Sequence, residues 1–385
     1  MRPLRILQVS RVFHPHLGGI EKHVEWLSRA LLARGHHVEV LTLDRSFADG
    51  SAYPPGDVLD ADGPTPLRVT RVPFAGSTRY PLAPGVVRYF QRGWDVVHVH
   101  ALDFLADVAV ATRPWHRTPV VLSTHGGFFH TDVARRLKQA WFHTATRALV
   151  QTVDALVYTS DQDQELFRRI TTRGTLVRSA VELGPWRALV PAPESGRFVT
   201  TGRVDVHKGL ADMVRALAAL RDRDSRPFHA HVVGPEVVPG LLASLRADAH
   251  ALGVGDRVTF HGKLGFGEMQ DHVRRAEIGL FPSTYESFGL SVVEALAAGV
   301  VPVLNDIRAF RYFMDGEQNG FVTRFADPGA AAATIQRARE LGEGRGRVVA
   351  AARASSERYG WEAVVGDIEA VYAGVVGRGK GRRSA

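Results

Sequence analysis

The sequence predicts an α/β protein made of two parallel-sheet halves. Strand-like apolar runs alternate with amphipathic helical segments along nearly the whole chain. A stretch from Glu182 to Gly196, with three prolines and two glycines, interrupts both periodicities. A second alternating series starts directly after it. At 385 residues, and about one domain per 150 residues, the chain is long enough for two cores.

Taken in order, the apolar runs LRILQV, HVEVLTL, LRVTRV, DVVHV, PVVLS and ALVYT place strands at 4–9, 37–43, 67–72, 95–99, 119–123 and 155–159. Helical periodicity places helices between them at 20–34, 102–111, 132–150 and 161–170. Beyond the break, strands fall at 197–201, 228–233, 257–260, 278–281 and 300–304. A helix begins near Gly289, and a last helix runs from Trp361 to about residue 375. The tail GRGKGRRSA, 377–385, reads as a solvated terminus. The division expected is 1–183, 184–360, a helix at 361–376 crossing back to the first domain, and the tail.

Composition removes several function classes. Apolar residues at 45% and charged residues at 23% exclude wholesale disorder and an all-membrane chain. The chain has no cysteine, which excludes disulfides, thiolate metal sites and thiol nucleophiles. The longest run free of Asp, Glu, Lys and Arg, 118–131, is too short and polar to cross a bilayer. No signal-peptide core precedes the first strand, so a cytoplasmic protein is expected. The formal charge of +8 favours anionic partners. No RRM, zinc-finger or helix-turn-helix pattern accompanies it, so nucleic acid is not expected.

Four segments carry chemistry. After the first strand, Gly18 and Gly19 feed a helix start, where free N–H groups and the helix dipole suit a phosphate. His14 and His16 in the same loop lack further ligands at metal spacing. In TTGRVDVHKGL, Arg203 and Lys208 lie on a strand-to-helix loop, where two cations can neutralise a diphosphate. In FPSTYESFGLSVVEAL, Glu286 precedes a helix start and Glu294 lies inside it, with the N–H groups of Phe288, Gly289 and Leu290 between. Carboxylate, anion-binding helix end, carboxylate is a pattern that fits sugar, diphosphate and ribose. In VVLSTHGGFFHTD, His125 ends a strand and is followed by Gly126 and Gly127. The Asp-x-Asp triples at Asp60 and Asp62, Asp161 and Asp163, and Asp222 and Asp224 read as surface acids, and no metal site is expected.

GGIE, THGG, GRV followed by KG, and E-SFG-L followed by E resemble, in this order, the retaining nucleotide-sugar glycosyltransferases of family 4, which have the GT-B fold. LDRSFAD, STRYPLAP, VVHVHALDF and STHGGFFHT are further similar to the α-1,3-mannosyltransferases of xanthan- and acetan-type exopolysaccharide assembly. The resemblance implies two Rossmann-like domains facing across a deep cleft, an acceptor side in the first and a nucleotide-sugar side in the second. It implies that Gly18, Gly19, Arg203 and Lys208 face the donor diphosphate and that Glu294 binds ribose. Glu286 would hold the transferred sugar with Phe288 to Leu290, and His125 would sit beside that sugar. Gly262 and Lys263 would lie at the base. GDP-mannose is the implied donor and a polyprenyl-diphosphate-linked oligosaccharide the acceptor, with no cofactor beyond the donor as co-substrate. Ser179, Ala180, Val181 and Glu182 depart from the Asn-Gly-Val-Asp stretch of many relatives.

Breaking the anomeric C–O bond with a diphosphate leaving group asks chiefly for charge stabilisation. The cation pair and the helix end supply that without a metal. A UDP-sugar donor such as UDP-glucose or UDP-GlcNAc is the alternative. A glycosidase using Glu286 and Glu294, a sugar-nucleotide epimerase and a non-catalytic nucleotide-sugar module are more distant readings. In the segment 132–150, Leu137, Trp141, Ala145 and Leu149 fall on one helical face and Arg135, Arg136, Lys138 and Arg147 on others, as peripheral attachment to an anionic membrane surface requires.

Overall fold

Each half of the chain folds around its own sheet. The computed structural model describes residues 2–16, 18–46, 50–77, 80–126 and 135–381. It divides into one unit of 1–180 with 361–385 and a second of 181–360.

In the first unit the strands lie in the order Thr175–Leu176, Ala155–Tyr158, Val120–Ser123, Val96–His100, Arg5–Ser10, His37–Leu43, Leu67–Val72 and Gly56–Leu59. Only Gly56–Leu59 pairs antiparallel, at the edge. Strand order reverses between Arg5–Ser10 and Val96–His100, so ligands are expected beyond the carboxyl ends of those strands. The central strands are buried on both faces, which is why they read as apolar runs. In the second unit the order is Val258–Gly262, His229–Val233, Arg197–Thr201, Ile278–Phe281, Val301–Asn305 and Phe321–Thr323, all parallel. Its reversal falls between Arg197–Thr201 and Ile278–Phe281.

The last helix, Trp361–Gly381, belongs to the first unit. Trp361, Val364, Val365, Ile368, Tyr372 and Val375 recur every three or four residues and are buried against Val24, Leu27 and Leu31 of helix Gly19–Ala33. Burying each such aliphatic side chain contributes about 1.5–3 kcal/mol, and the helix continues through Gly381 into part of the predicted tail. The units divide at Ala180 and Val181, three residues ahead of the expected boundary. Val181 N–H donates to the Tyr359 carbonyl at 2.8 Å, and Leu183 lies in the second unit's core.

Two further expectations need correction. The helix expected at 132–150 is broken: Arg135–Trp141 is followed by a π-helical stretch, Phe142–Thr146, and then Arg147–Thr152. Residues 132–134 and the side chains of Arg135, Leu137 and Lys138 lie outside the described residues. The wider π turn shifts the register. Phe142, Thr146 and Val150 face the core, Trp141 is exposed, and Ala145 and Leu149 are half-buried. The expected face Leu137, Trp141, Ala145 and Leu149 therefore does not persist as one stripe. Asp163 and Asp224 are buried rather than surface acids. Asp163 accepts from Thr124 Oγ1 at 2.7 Å and Thr159 Oγ1 at 3.0 Å. Arg226 and then Arg339 hold the Asp224 carboxyl down at about 2.

Candidate active site

The second unit's reversal point lies where its two predicted loops emerge. Loop 202–209 follows strand Arg197–Thr201, and loop 282–289 follows Ile278–Phe281. Thr284 N–H donates to the His207 carbonyl at 2.8 Å. A Cβ on Gly209 would stand 2.2 Å from the Pro282 carbonyl oxygen, so only glycine, at φ +62°, lets the loops approach this closely. A small cleft here is lined by Gly202, Arg203, Lys208, Pro282, Ser283 and Ser291. Both cations and the helix start thus share one site.

Lys208 Nζ donates to Glu286 Oε1 at 2.6 Å, and Ser283 Oγ donates to the same oxygen at 2.9 Å. Both charged side chains are partly buried. Two residues predicted for different parts of a ligand are therefore hydrogen-bond partners of each other, and Glu286 Oε2 has no partner among the described residues. Asn305 Nδ2 donates to the Ser283 carbonyl at 3.0 Å and so anchors the loop. Arg203 is exposed and has no ion-pair partner among the described residues.

Helix Leu290–Ala298 begins at Gly289, φ +108°, with no side-chain cap. Helices Phe104–Ala111, Asp161–Phe167 and Pro328–Arg339 are capped by Asp103, Ser160 and Asp327. Among the described residues the N–H groups at 288–290 have no hydrogen-bond partner, which keeps them available for an anion. The Phe288 ring packs edge-on against Phe313 and Tyr359, with centroids 5.3 and 5.7 Å apart, which fixes the main chain there. Glu294, on the second turn, is buried to 9% exposure among small apolar residues. A carboxylate is costly in such surroundings unless it is paired.

Gly262, φ +72°, ends strand Val258–Gly262, two places along the sheet from Arg197–Thr201, and Lys263 after it is exposed. Sequence reasoning missed Gly234. Its N–H donates to the Gly262 carbonyl at 2.9 Å, and a Cβ on it would lie 1.7 Å from the Gly202 carbonyl oxygen. Gly202, Gly234 and Gly262 thus form a side-chain-free rim on three adjacent strands. The signal was a glycine at the carboxyl end of each strand.

In the first unit, helix Gly19–Ala33 starts at Gly18 with no side-chain cap from that residue. The Glu21 carboxyl lies there instead, with Oε2 2.2 Å from where a Gly18 Cβ would stand. Burial raises its pKa. The phosphate site expected at Gly18 and Gly19 therefore already holds an acidic side chain of the same helix. Arg71 donates to the His14 carbonyl at 2.9 Å, which ties the preceding loop to the sheet.

His125 sits at φ +52° just beyond strand Val120–Ser123. Asp163 clamps its neighbours by accepting from Thr124 Oγ1 and from Gly126 N–H at 3.0 Å. Gly127 lies outside the described residues. His125 Nε2 is 2.9 Å from His100 Nδ1, and His100 Nε2 is 2.7 Å from Gln8 Oε1. The His23 ring packs against His125, with centroids 4.7 Å apart, and behind His100 lie Gln8, His98 and Tyr372; all five are buried and all were missed by sequence reasoning. Two histidines at i and i+2 in VVHVH point to one face of a strand, and that was the available signal. Burial lowers the pKa of His23 to about 4 and of His98 to about 3, and puts His100 and His125 well below the usual value.

Ring nitrogens of His23, His100 and His125 lie within 4.8 Å of one another, as do those of His231, His261 and His272. In the first group both nitrogens of His100 are committed to Gln8 and His125. In the second, the Arg197 guanidinium donates to His272 Nδ1 at 3.0 Å, which places a positive charge at the cluster.

Comparison with known proteins gives the same two-part division. Residues 17–182 match the family described as Glycosyltransferase Family 4, and residues 188–355 match Glycosyl transferases group 1. The chain is 34% identical to the GDP-mannose:cellobiosyl-diphosphopolyprenol alpha-mannosyltransferase of Komagataeibacter xylinus, over 97% of this chain and 94% of that one. It is 33% identical to the protein of that name from Xanthomonas campestris, over 94% and 95%. Among solved structures, sucrose-phosphate synthase from Thermosynechococcus elongatus superposes with a TM-score of 0.74 at 22% identity, covering 96% of this chain and 98% of that one. Anabaena Alr3699/HepE in complex with UDP superposes with a TM-score of 0.72 at 18% identity, covering 96% and 100%.

Proposed function

We propose mannosyl transfer as the function of this chain, which belongs to the glycosyltransferases of family 4 and group 1 and has their GT-B fold. The donor is GDP-mannose, the acceptor a saccharide on a polyprenyl diphosphate, and the new bond keeps the α configuration. Support for this donor and acceptor comes from the likeness to the two mannosyltransferases over nearly their full length.

The single observation that carries the chemistry is the meeting of Arg203, Lys208 and the uncapped start of helix Leu290–Ala298 at one cleft. As the anomeric C–O bond breaks, its electron pair leaves with the diphosphate and adds one negative charge to those the diphosphate already carries. Lys208 and Arg203 neutralise them from one loop, and the N–H groups at 288–290 donate from the other. Glu286, already oriented by Lys208 and Ser283, offers Oε2 to a sugar hydroxyl. Glu294 takes the ribose hydroxyls, and the glycine rim up to Gly262, with Lys263, leaves main chain for the base. His125 is assigned to the transferred sugar. No residue is assigned as a covalent nucleophile or base.

Incubation with GDP-mannose and a diphosphopolyprenol-linked saccharide is expected to release GDP only when the acceptor is added. Hydrolysis of GDP-mannose to mannose and GDP by water alone, or equal turnover of UDP-glucose, would refute this reading. Glu294→Gln is expected to weaken GDP-mannose binding about 10- to 100-fold, as loss of a charged hydrogen-bond acceptor does, with the melting temperature retained. Calorimetric titration of donor checks this, and unchanged affinity removes the ribose assignment.

A lipid-linked acceptor calls for contact with a membrane surface. Among the described residues, no helix is long and apolar enough to cross one. Exposed Trp141, together with exposed Arg136 and Arg147 on the segment after residue 134, suits interfacial attachment to anionic lipid at the cytoplasmic face. Flotation is expected to recover more protein with anionic than with neutral vesicles. Equal recovery would count against an electrostatic dock.

A further inference from the structure

In the second unit, histidines from two strands and one helix converge away from the donor cleft. His229 and His231, two residues apart in strand His229–Val233, fall on one face of the sheet. The pairing with strand Val258–Gly262 skips His261, since Val232 faces Phe260 and Val233 faces Gly262. Such a bulge re-aims a side chain, and the His261 ring stands 5.2 Å from that of His231. His272, in the last turn of helix Phe266–Arg274, sets its ring 5.0 Å from His231 and 4.3 Å from His261.

His231 Nδ1 and His261 Nε2 lie 3.0 Å apart, and one ring nitrogen from each of the three histidines falls within 4.8 Å of the others. Two imidazole nitrogens at about 2.0–2.1 Å from a tetrahedral zinc ion stand about 3.3 Å apart. One pair is thus already at ligand spacing, and His272 has at most about 1.5 Å to close by turning its ring. All three residues are half-buried, which leaves an ion a path from solvent. Among the described residues the group holds no carboxylate, and an all-imidazole set suits zinc, copper or nickel rather than magnesium or calcium. His229 stays outside it, with Nε2 2.7 Å from Thr259 Oγ1.

The opposing charge is Arg197, whose guanidinium donates to His272 Nδ1 at 3.0 Å. An ion competes with that bond for the His272 lone pair. Glu194 Oε2, 3.2 Å from Arg197 Nη1, gives the guanidinium a carboxylate to keep when it yields the ring. Three neutral ligands beside a cation set the expected affinity in the micromolar range.

We propose that His231, His261 and His272 form a binding site for one divalent transition-metal ion of the zinc class. The site is independent of the transfer chemistry, because none of its ligands lines the cleft at Arg203, Lys208 and Ser291. His261 and His272 bracket the turn between strand Val258–Gly262 and helix Phe266–Arg274. A bound ion therefore clips that turn closed and stabilises the folded second unit by mass action.

Calorimetric titration of zinc chloride into the tag-free full chain, at about pH 7.5 where imidazoles are neutral, tests this. One ion per chain is expected to bind in the micromolar range, with no heat from magnesium chloride. His261→Gln and His272→Gln are each expected to weaken binding by about tenfold or more. His23→Leu, in the other histidine group, is expected to bind zinc as the wild type does. At a hundredfold excess over Kd, zinc is expected to raise the wild-type melting temperature by about 5 °C and to leave that of His272→Gln unchanged. No binding by the wild type in millimolar zinc, or undiminished affinity in both glutamine variants, overturns the proposal. So does loss of the site in His23→Leu, which puts the ion in the first unit. Should the glutamine variants melt lower without metal, the visible spectrum of the wild type with cobalt chloride decides. Intense four-coordinate bands support the site, and the pale spectrum of the free ion overturns it.

Discussion

Lys208→Ala is expected to lower turnover by about 2–4 kcal/mol of barrier, or roughly 30- to 1000-fold, with a smaller effect on donor binding. The ammonium acts on charge that is greatest when the diphosphate departs, so its loss falls on kcat. A second cost arises from the geometry. Glu286 keeps only Ser283 as a partner on Oε1 once Lys208 is removed, which leaves a partly buried carboxylate beside an incoming diphosphate. Glu286→Gln, which keeps the lysine, is expected to retain diphosphate binding and to lose contact with the sugar. Steady-state kinetics on the two variants separate these roles. A Lys208→Ala enzyme with the wild-type rate would remove the leaving-group role.

Acid is expected to unfold the first unit well before carboxylate titration would. His23, His98, His100 and His125 are held neutral chiefly by burial, with folded values below the ordinary 6.5. Their folded pKa is depressed, so the unfolded chain binds protons first. Stability is therefore full above about pH 6.5 and falls as pH drops toward the folded values, near 4 for His23. The slope is about 1.4 kcal/mol per pH unit for each imidazole, or about 2 kcal/mol for one imidazole at pH 5. Melting followed by circular dichroism is expected to drop by about 10 °C or more between pH 7 and pH 5. His23→Leu, which also removes a buried Nδ1 without a hydrogen-bond partner, is expected to flatten that dependence. Equal melting at both pH values would contradict the neutral buried cluster.

The strand order and the site loops differ in how much the sequence disclosed. Apolar runs such as VVHVH and IGLF betray fully buried parallel strands, and all eleven predicted strands are present within a residue or two. Edge pieces such as Gly56–Leu59, Thr175–Leu176 and Phe321–Thr323 escaped because short strands with one exposed side leave little pattern. Helix Arg135–Trp141 misled because the π stretch after it, Phe142–Thr146, breaks the four-residue spacing that the reading assumed. At the site, Arg203, Lys208, Glu286 and the start at Gly289 were legible, because loops after parallel strands carry function and charged residues stand out there. The direct Lys208–Glu286 pair was not, since the partners are far apart in sequence. The same holds for Tyr372 against Gln8, on opposite ends of the chain. Gly18 and Gly19 illustrate the converse. Their spacing suited a phosphate, yet Glu21, two residues on, turns its carboxyl back onto that helix end.

The central claim is that one cleft of the second unit, at the carboxyl ends of strands Arg197–Thr201 and Ile278–Phe281, holds the donor diphosphate. Titration of GDP-mannose into 15N-labelled protein, with amide shifts followed residue by residue, tests it most directly. The account predicts the largest shifts at Gly202, Arg203 and residues 288–291, and their disappearance together in a Lys208→Ala, Arg203→Ala double variant. Saturable binding that leaves those amides unmoved, with shifts confined to other parts of either unit, would contradict it.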